Sequence, residues 1–565
     1  MLDRRRIPIG IDDFGTLRRN GLFYVDKTHF IQQLIDHAGV EVFLFPRPRR
    51  FGKTLAMTML RAFFEKIEKS PEPRSAFFEG LHIWEAGPAY REHFQKYPVI
   101  YLTLKELKEQ SAEGFFAAIS THLSNLYREH SALLAGSVLS AMERDRFEQI
   151  LKGSASIELC KIALSELCLY LHRAYGEPVV LLIDEYDTAI HEAYLHGFAE
   201  PVIHFFRRFL GAALKGNAHL YKAVLTGILR ISKESIFSDL NNLSVYSMLR
   251  PDYSEVFGFT EDEVAAMLEE AGLGDKLSEV KDWYNGYLFG GRVMYNPWSL
   301  LNFMASGGVA QAYWLNTSAN SLIKESLIKH AGRVGEEMEM LLGGGEIERE
   351  LDENTALGDL ANNTNVLFSL LTFAGYLKAK AVPSFGHKRF ALSIPNHEVR
   401  EVYVGTFRGW LETGLSNGGS SLDELKDALL SGDEEGLEEI LNELAGSVLS
   451  YQDGASKRPE FFYHGFVLGL LTTLEPEYRV RSNRESGEGR PDVLVMPVEK
   501  GKPGVVMELK VAKPKRKTLE QALDEGEAQM KAKNYGSELA AQGVGSLVGL
   551  VLAFDGKVVR VRRVF

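Results

Sequence analysis

A chain of 565 residues is too long for one compact core and leads us to expect roughly three or four domains, while 45% hydrophobic and 25% charged residues exclude disorder and fibrous repeats. A net charge of −12 excludes a chain coated in nucleic-acid-binding surface, yet from residue 451 onward 19 Lys and Arg stand against 15 Asp and Glu, so an anionic polymer is expected to meet the C-terminal part first. Cys160 and Cys168, without CxxC spacing, exclude a disulfide framework, and no apolar run reaches the about 18 residues of a membrane span, which predicts a cytoplasmic location.

From about residue 40 to 247, short apolar runs alternate with helical stretches: VEVFLF from Val40, VIYLTL from Val99, VVLLID from Val179, YKAVLT from Tyr221 and SVYSML from Ser244. Runs of this kind, rich in Val, Ile and Leu with little alternation, predict a parallel sheet covered by helices on both faces. The interval between Val99 and Val179 holds a helical insertion longer than a simple crossover. After the first run, PRPRRFGKT precedes the apolar helix LAMTMLRAFF, the context of a P-loop. A turn at Gly52 aims helix amides at a phosphate, Lys53 adds a cation near the β and γ phosphates, and Thr54 offers its hydroxyl to magnesium. The GxxxxGK[ST] pattern wants glycine where Arg47 stands; Arg47, Arg49 and Arg50 are candidates for phosphate contact, with surface pairing as the plainer alternative. The run VVLLID ends on Asp184, placed to hold magnesium beside Thr54, and Glu185 follows, placed to polarise an attacking water. Thr226 ends a further strand and Arg230 lies just beyond; a γ-phosphate sensor and a neutralising cation, or an N-cap and a surface arginine, account for them equally. ATP with Mg2+ is the expected ligand.

Residues from about 255 to 450 read as mainly helical, with amphipathic acidic segments and turns at Gly343 to Gly345 and from Ser416. Within them NVLFSLLTFAGYLKAKAV, SFGHK and RFALSIPNHEV read as helix, glycine cap, strand, turn, strand and helix, an order that fits a winged helix or a structural connector. From about Pro459 a helix, three strands, a helix over Leu519 to Lys533 and two closing strands predict a compact α/β domain. There GRPDVLVMP and GVVMELKVAK place Asp492 on one strand and Glu508 and Lys510 on its neighbour, the last two sharing a face because they are two apart. Two carboxylates on adjacent strands can bind magnesium and a nearby lysine can orient a water, the apparatus of phosphodiester hydrolysis; a solvated hairpin edge yields the same spacing by chance.

With IDDFGTLRRNGLFYVDKTHFI, RPRRFGKTL, LLIDEYD, TGILRISKESIFSDLNNL, WYNGYLF, YNPWSLL, YWLNTS, GYLKAK and IPNHEV, the chain resembles, over nearly its whole length, the bacterial AAA-ATPase-like proteins with a C-terminal PD-(D/E)xK nuclease domain. The resemblance implies an α/β chain with an AAA-like P-loop NTPase domain of parallel sheet and helices over residues 1–250. A mostly helical, partly winged-helix-like region over 251–455 and a nuclease-like α/β domain over 456–565 follow. Family P-loops also read RPRRFGK, so Arg47 resembles the family's own form of the motif, and Tyr24, Asp26 and Lys27 match a family motif placed near the nucleotide or in packing. The nuclease motif it implies is Pro491, Asp492, Glu508 and Lys510, with Glu460 as a further metal ligand, Gln529 and Tyr535 beside the site and Arg490 toward a DNA phosphate; His464 reads better as a core or surface histidine. The function implied is a magnesium-dependent DNA nuclease controlled by ATP, in a homo-oligomer away from any membrane. The alternative is an NTP-dependent switch or scaffold that binds nucleic acid without cutting it.

Overall fold

The computed structural model describes residues 3–67, 73–229, 236–237, 240–314, 321–353, 357–360, 363–383, 388–450, 469–470, 472–474, 476–482, 492–512, 517–533, 544–555 and 558–565. Two compact units emerge from the packing, one of residues 1–322 and 348–399, the other of 323–347 and 400–565.

The first unit is built on the five apolar runs. Strands β1 (Val42–Pro46), β2 (Val99–Thr103), β3 (Val179–Asp184), β4 (Leu220–Gly227) and β5 (Leu243–Val245) form one sheet in the order β2-β3-β4-β1-β5. All its pairings are parallel, and β1 and β3 are buried throughout, as strands covered on both faces must be. The order is what matters for function: β1, β4 and β3 lie side by side, so the loops leaving their C-terminal ends converge. The insertion between β2 and β3 contributes the helices Ala112–Glu129, Ala141–Leu151 and Ala163–Tyr175, joined through Tyr127, whose hydroxyl donates to the Ala163 carbonyl at 2.8 Å.

The first unit continues beyond residue 250 through largely helical sequence that also holds two small antiparallel sheets. One has β6 (Phe259–Thr260), β7 (Tyr287–Phe289) and β8 (Arg292–Tyr295) in the order β6-β8-β7. The other has β9 (Ile347–Glu350), β10 (Lys378–Val382) and β11 (Arg389–Ser393) in the order β10-β11-β9. Thr364–Phe373, β10, β11 and the helix starting at His397 follow one another in the helix, strand, strand, helix order expected of a winged helix. Glu398, in the first turn of that last helix, is buried against the helix Pro297–Ala305: the Ser299 hydroxyl donates to its Oε2 at 2.7 Å and the Trp314 N–H to its Oε1 at 2.9 Å.

Burial pushes the Glu398 carboxyl up to about 7, against the pull of its hydrogen bonds. The folded chain therefore keeps a proton there that an unfolded chain releases near 4.5, so the contribution is complete below that pH and lost as pH rises through about 7. Glu398→Gln keeps the shape and removes the charge. Its expected effect is a thermal midpoint that no longer falls between pH 5 and 8, where the native carboxyl costs on the order of 3 kcal/mol. Melting curves of both proteins across that range check it, and parallel curves would refute the assignment.

The second unit is a mixed sheet with helices on both faces. Strands β12 (Tyr478–Ser482), β13 (Val493–Pro497), β14 (Pro503–Val511), β15 (Ser546–Asp555) and β16 (Val558–Arg563) lie in that order, antiparallel except for the parallel pair β14 and β15. Val493, Val495, Val505 and Met507 point to one face and pack with Leu425, Leu429, Leu437 and Leu441 from the helices Leu422–Ser431 and Glu434–Ser450. Leu494, Met496, Val506 and Val551 point to the other, against Ala522, Leu523 and Met530 of the helix Leu519–Lys533. This two-residue alternation decides which side chains can meet the functional carboxylates.

Candidate active sites

The P-loop begins where β1 ends. Gly52 caps the helix Lys53–Phe64 with a φ of 81°, a left-handed conformation that favours glycine. Lys53 is 5% exposed and donates to the carbonyls of Arg47 and Pro48 at 3.1 and 3.0 Å. Burial lowers its pKa, opposed by the carboxylates of Glu185, Asp184 and Asp187. Across the sheet, the Thr54 hydroxyl donates to Asp184 Oδ2 at 2.6 Å and the Thr226 hydroxyl to Asp184 Oδ1 at 2.5 Å. Two hydroxyls far apart in sequence thus meet on one buried carboxylate, because β3 lies beside β4 and the P-loop helix packs on β3. Glu185 follows with a φ of 52°, rare for a residue with a side chain, and its Oε2 accepts the Thr188 hydroxyl at 3.3 Å. Strained backbone of this kind concentrates at functional sites.

Arg47 has a different task from a phosphate ligand. Its side chain is fully buried: Nη1 donates to the carbonyls of Pro46 and Tyr246 at 3.0 and 2.6 Å, and Nη2 to that of Tyr253 at 3.2 Å. The guanidinium also lies 5.5 and 5.1 Å from the ring centres of Phe257 and Phe289. Burial presses its pKa down to about 9, and a delocalised guanidinium stays charged there. Arginine at this position ties the start of the loop to the segment after β5, a job glycine could not do. Arg50, with a φ of 67°, lays its guanidinium 4.2 Å from the Trp298 ring centre, and burial lowers its pKa while Glu185 opposes the shift. The Asn296 amide reaches the Arg49 carbonyl at 3.5 Å. Arg230 lies outside the described residues.

Sequence reasoning gave no role to Asp187, in LLIDEYD, or to Asn296 and Trp298, in YNPWSLL. Asp187 is buried, and its Oδ2 accepts the N–H groups of Ile228 and Leu229 at 2.7 and 2.9 Å, fixing the chain as it leaves Thr226. A Cβ on Gly227 would stand 2.7 Å from Asp187 Oδ1 and from the Tyr186 ring, so that turn requires glycine. The third acid of IDEYD was the available signal.

In the second unit the β13 and β14 register pairs Val493 with Met507, which puts Asp492 level with Glu508. Asp492 Oδ2 accepts the Leu509 N–H at 2.8 Å. Glu508 is fully buried, and Lys510 donates to its Oε1 and to Gln529 Oε1, both at 2.8 Å. Glu508 and Lys510 share the sheet face that carries Val506 and the helix Leu519–Lys533, where Gln529 sits; the structure therefore brings Asp492, Glu508, Lys510 and Gln529 together. Glu460, His464, Arg490, Pro491 and Tyr535 lie outside the described residues. Among the described residues no three His, Cys, Asp or Glu side chains converge as a metal cluster.

Among the described residues, the arginines of the C-terminal strand find partners inside their own unit. Arg562 pairs with Glu520, Asp524 and Glu527 at 2.6, 2.7 and 3.1 Å, Arg560 pairs with Glu438, and Arg563 donates to the Ser431 carbonyl at 3.1 Å. Among the described residues no helix is long and apolar enough to cross a membrane.

The first unit is thus a parallel α/β fold with a P-loop at its switch point, and the second a mixed α/β sheet with a carboxylate and lysine cluster. Residues 8–237 match the AAA-ATPase-like family, described as a predicted AAA-ATPase, and residues 458–563 match the PD-(D/E)XK nuclease superfamily, so the chain carries both domains in that order. A protein of Azotobacter chroococcum mcd 1, described as an uncharacterized protein in the vnfD 5' region, is 27% identical over 503 residues, 88% of each chain. The solved structure of the Aeropyrum pernix ORC2 protein in ADPNP-ADP complexes is 11% identical with a TM-score of 0.23, covering 71% of this chain and 97% of that one.

Proposed function

We propose that the protein binds and hydrolyses ATP in its first unit and hydrolyses DNA phosphodiester bonds in its second, with the first controlling the second in the cytoplasm. The observation that carries the nuclease half is the meeting on one sheet face of Asp492 with Glu508, level with it, and Lys510, two residues further along, with Gln529 holding the lysine. In the first unit the supporting observation is Asp184 receiving both the Thr54 and Thr226 hydroxyls beside a buried Lys53.

The donor sets suit magnesium, a hard cation held through oxygen by one or two carboxylates with water completing its shell. Thr54 with Asp184 would hold it in the first unit, and Asp492 with Glu508 in the second, where Glu460 is a further ligand candidate. When bound, the ion supplies positive charge against phosphate oxygens and acidifies water. The protein's own groups do the rest. Lys53 binds the β and γ phosphates at its ammonium, and the Glu185 carboxylate orients the attacking water and accepts its proton. Lys510, with two of its three N–H donors placed on Glu508 and Gln529, orients water or a phosphate oxygen with the third.

Purified protein incubated with magnesium and single- or double-stranded DNA, with and without ATP, is expected to cut, faster when ATP is present, and to stop when EDTA is added. Failure to cut any nucleic acid under these conditions would leave the nuclease reading without support. Cutting that ignores ATP would remove the proposed control and leave the two activities separate.

A further inference from the structure

The motif YNPWSLL ties the P-loop to IPNHEV. Asn296 caps the helix Pro297–Ala305: its Oδ1 accepts the Trp298 N–H at 2.9 Å, and Pro297 fixes the first helical position. Cap and proline together make this first turn stiff. One side of the turn grips the P-loop, where the Asn296 amide reaches the Arg49 carbonyl and the Trp298 ring carries the Arg50 guanidinium. The other side grips Glu398. The fully buried Ser299 donates its hydroxyl to the carboxyl, and the Trp314 N–H donates to the second carboxyl oxygen. Glu398 opens the helix His397–Gly418, whose residues belong to the first unit up to Val399 and to the second from Arg400. Leu411 and Leu415 of that helix lie in the core of the second unit with Val493 and Met507, the chain neighbours of Asp492 and Glu508.

The loop that the turn grips has two arrangements available to it. An ammonium has three donors, and Lys53 gives two of them to the Arg47 and Pro48 carbonyls. Bridging the β and γ phosphates takes two, so at least one of those carbonyls is released on binding, within the same RPRR segment that Asn296 and Trp298 hold. We propose that the capped turn at Asn296 reads this rearrangement and passes it through Ser299 and Glu398 to the helix His397–Gly418, and that this is how ATP sets the cleavage activity of the second unit. The proposal rests on the reading that ATP controls cleavage. Asn296, Trp298, Ser299 and Glu398 are positioning residues within it. A buried carboxyl is a poor choice for stability alone, because an apolar pair of the same shape spares its desolvation. What a satisfied polar link adds is one fixed alignment of the two helices.

Three rates on the full chain test the relay: ATP hydrolysis, cleavage without ATP, and cleavage at saturating ATP, the last two giving the factor by which ATP raises cleavage. Glu398→Ala cuts the links to both Ser299 and Trp314; hydrolysis and ATP-independent cleavage are expected within about twofold of wild type, and the ATP factor is expected to fall to about one. Ser299→Ala removes one of the two links and is expected to lose at least about half of the factor. Glu398→Gln keeps the shape and a hydrogen-bonding partner for each donor, and is expected to hold the factor within about twofold of wild type. A merely structural role would lower all three rates together. If ATP stimulates wild type and stimulates Glu398→Ala and Ser299→Ala equally, the relay is overturned while control by ATP stands. If wild-type cleavage ignores ATP, the control reading fails and the relay falls with it. Should Glu398→Ala misfold, amide hydrogen exchange decides: ATP is expected to change exchange over residues 397–418 of wild type and to leave it unchanged in Lys53→Ala. Unchanged exchange there in an ATP-stimulated wild type overturns the relay.

Discussion

Lys510→Ala is expected to lower magnesium-dependent DNA cleavage at least about a hundredfold while ATP hydrolysis stays at the wild-type rate. Two effects combine at this position. The ammonium that orients water or phosphate is removed, and the fully buried Glu508 loses the cation 2.8 Å from its Oε1. A buried carboxylate stripped of its counter-charge shifts toward its neutral form, which binds a cation poorly. Lys510→Ala therefore weakens metal binding as well as the chemical step, and raising magnesium should recover part of the loss but not all. Glu508→Gln separates the two contributions, because it removes the metal-binding charge and keeps Lys510. Cleavage rates over a magnesium titration, with ATPase rate and thermal midpoint measured alongside, provide the check. A Lys510→Ala protein that cuts like wild type would show that this cluster is not the cleavage site.

Lys53→Ala is expected to reduce ATP hydrolysis at least about a hundredfold and to abolish any stimulation of DNA cleavage by ATP, leaving ATP-independent cleavage intact. The lysine is buried next to Asp184, Glu185 and Asp187, so its loss removes the cation facing the phosphates and unbalances the local charge. It also removes the donor that closes the loop on the Arg47 and Pro48 carbonyls. A structural collapse is distinguished by the thermal midpoint, since the loop keeps its anchor through the three carbonyls that Arg47 binds. ATPase rates with and without DNA, and cleavage with and without ATP, are the measurements. Undiminished hydrolysis would contradict the phosphate role; unchanged ATP stimulation would contradict the coupling.

Much of the architecture was legible because it is written locally. Six-residue apolar runs declare buried strands, and a strand, a turn and GKT before an apolar helix declare a phosphate-facing helix terminus. The wing-like order after Thr364 was readable from turns and periodicity in the same way. Arg47 was harder. Its charge suggested a phosphate or the surface, and the sequence contains no local sign that Tyr246, Tyr253, Phe257 and Phe289 would close around it. The partners of the C-terminal strand were hidden for a related reason, since the acids that engage Arg560 and Arg562 come from helices up to 122 residues away.

The sequence by itself determined the order of the two domains and their candidate sites, the five strands of the parallel sheet and the glycine that starts the P-loop helix. Each depends on a short stretch of chain, on its periodicity, its turn residues or its free helix amides. Tertiary structure alone decided that Asp184 gathers the Thr54 and Thr226 hydroxyls, that Asp492 stands level with Glu508, that Arg47 anchors rather than presents, and that Glu398 holds a proton near neutrality. Those outcomes turn on strand order, register and desolvation, which are set by which distant residues pack together and exclude water.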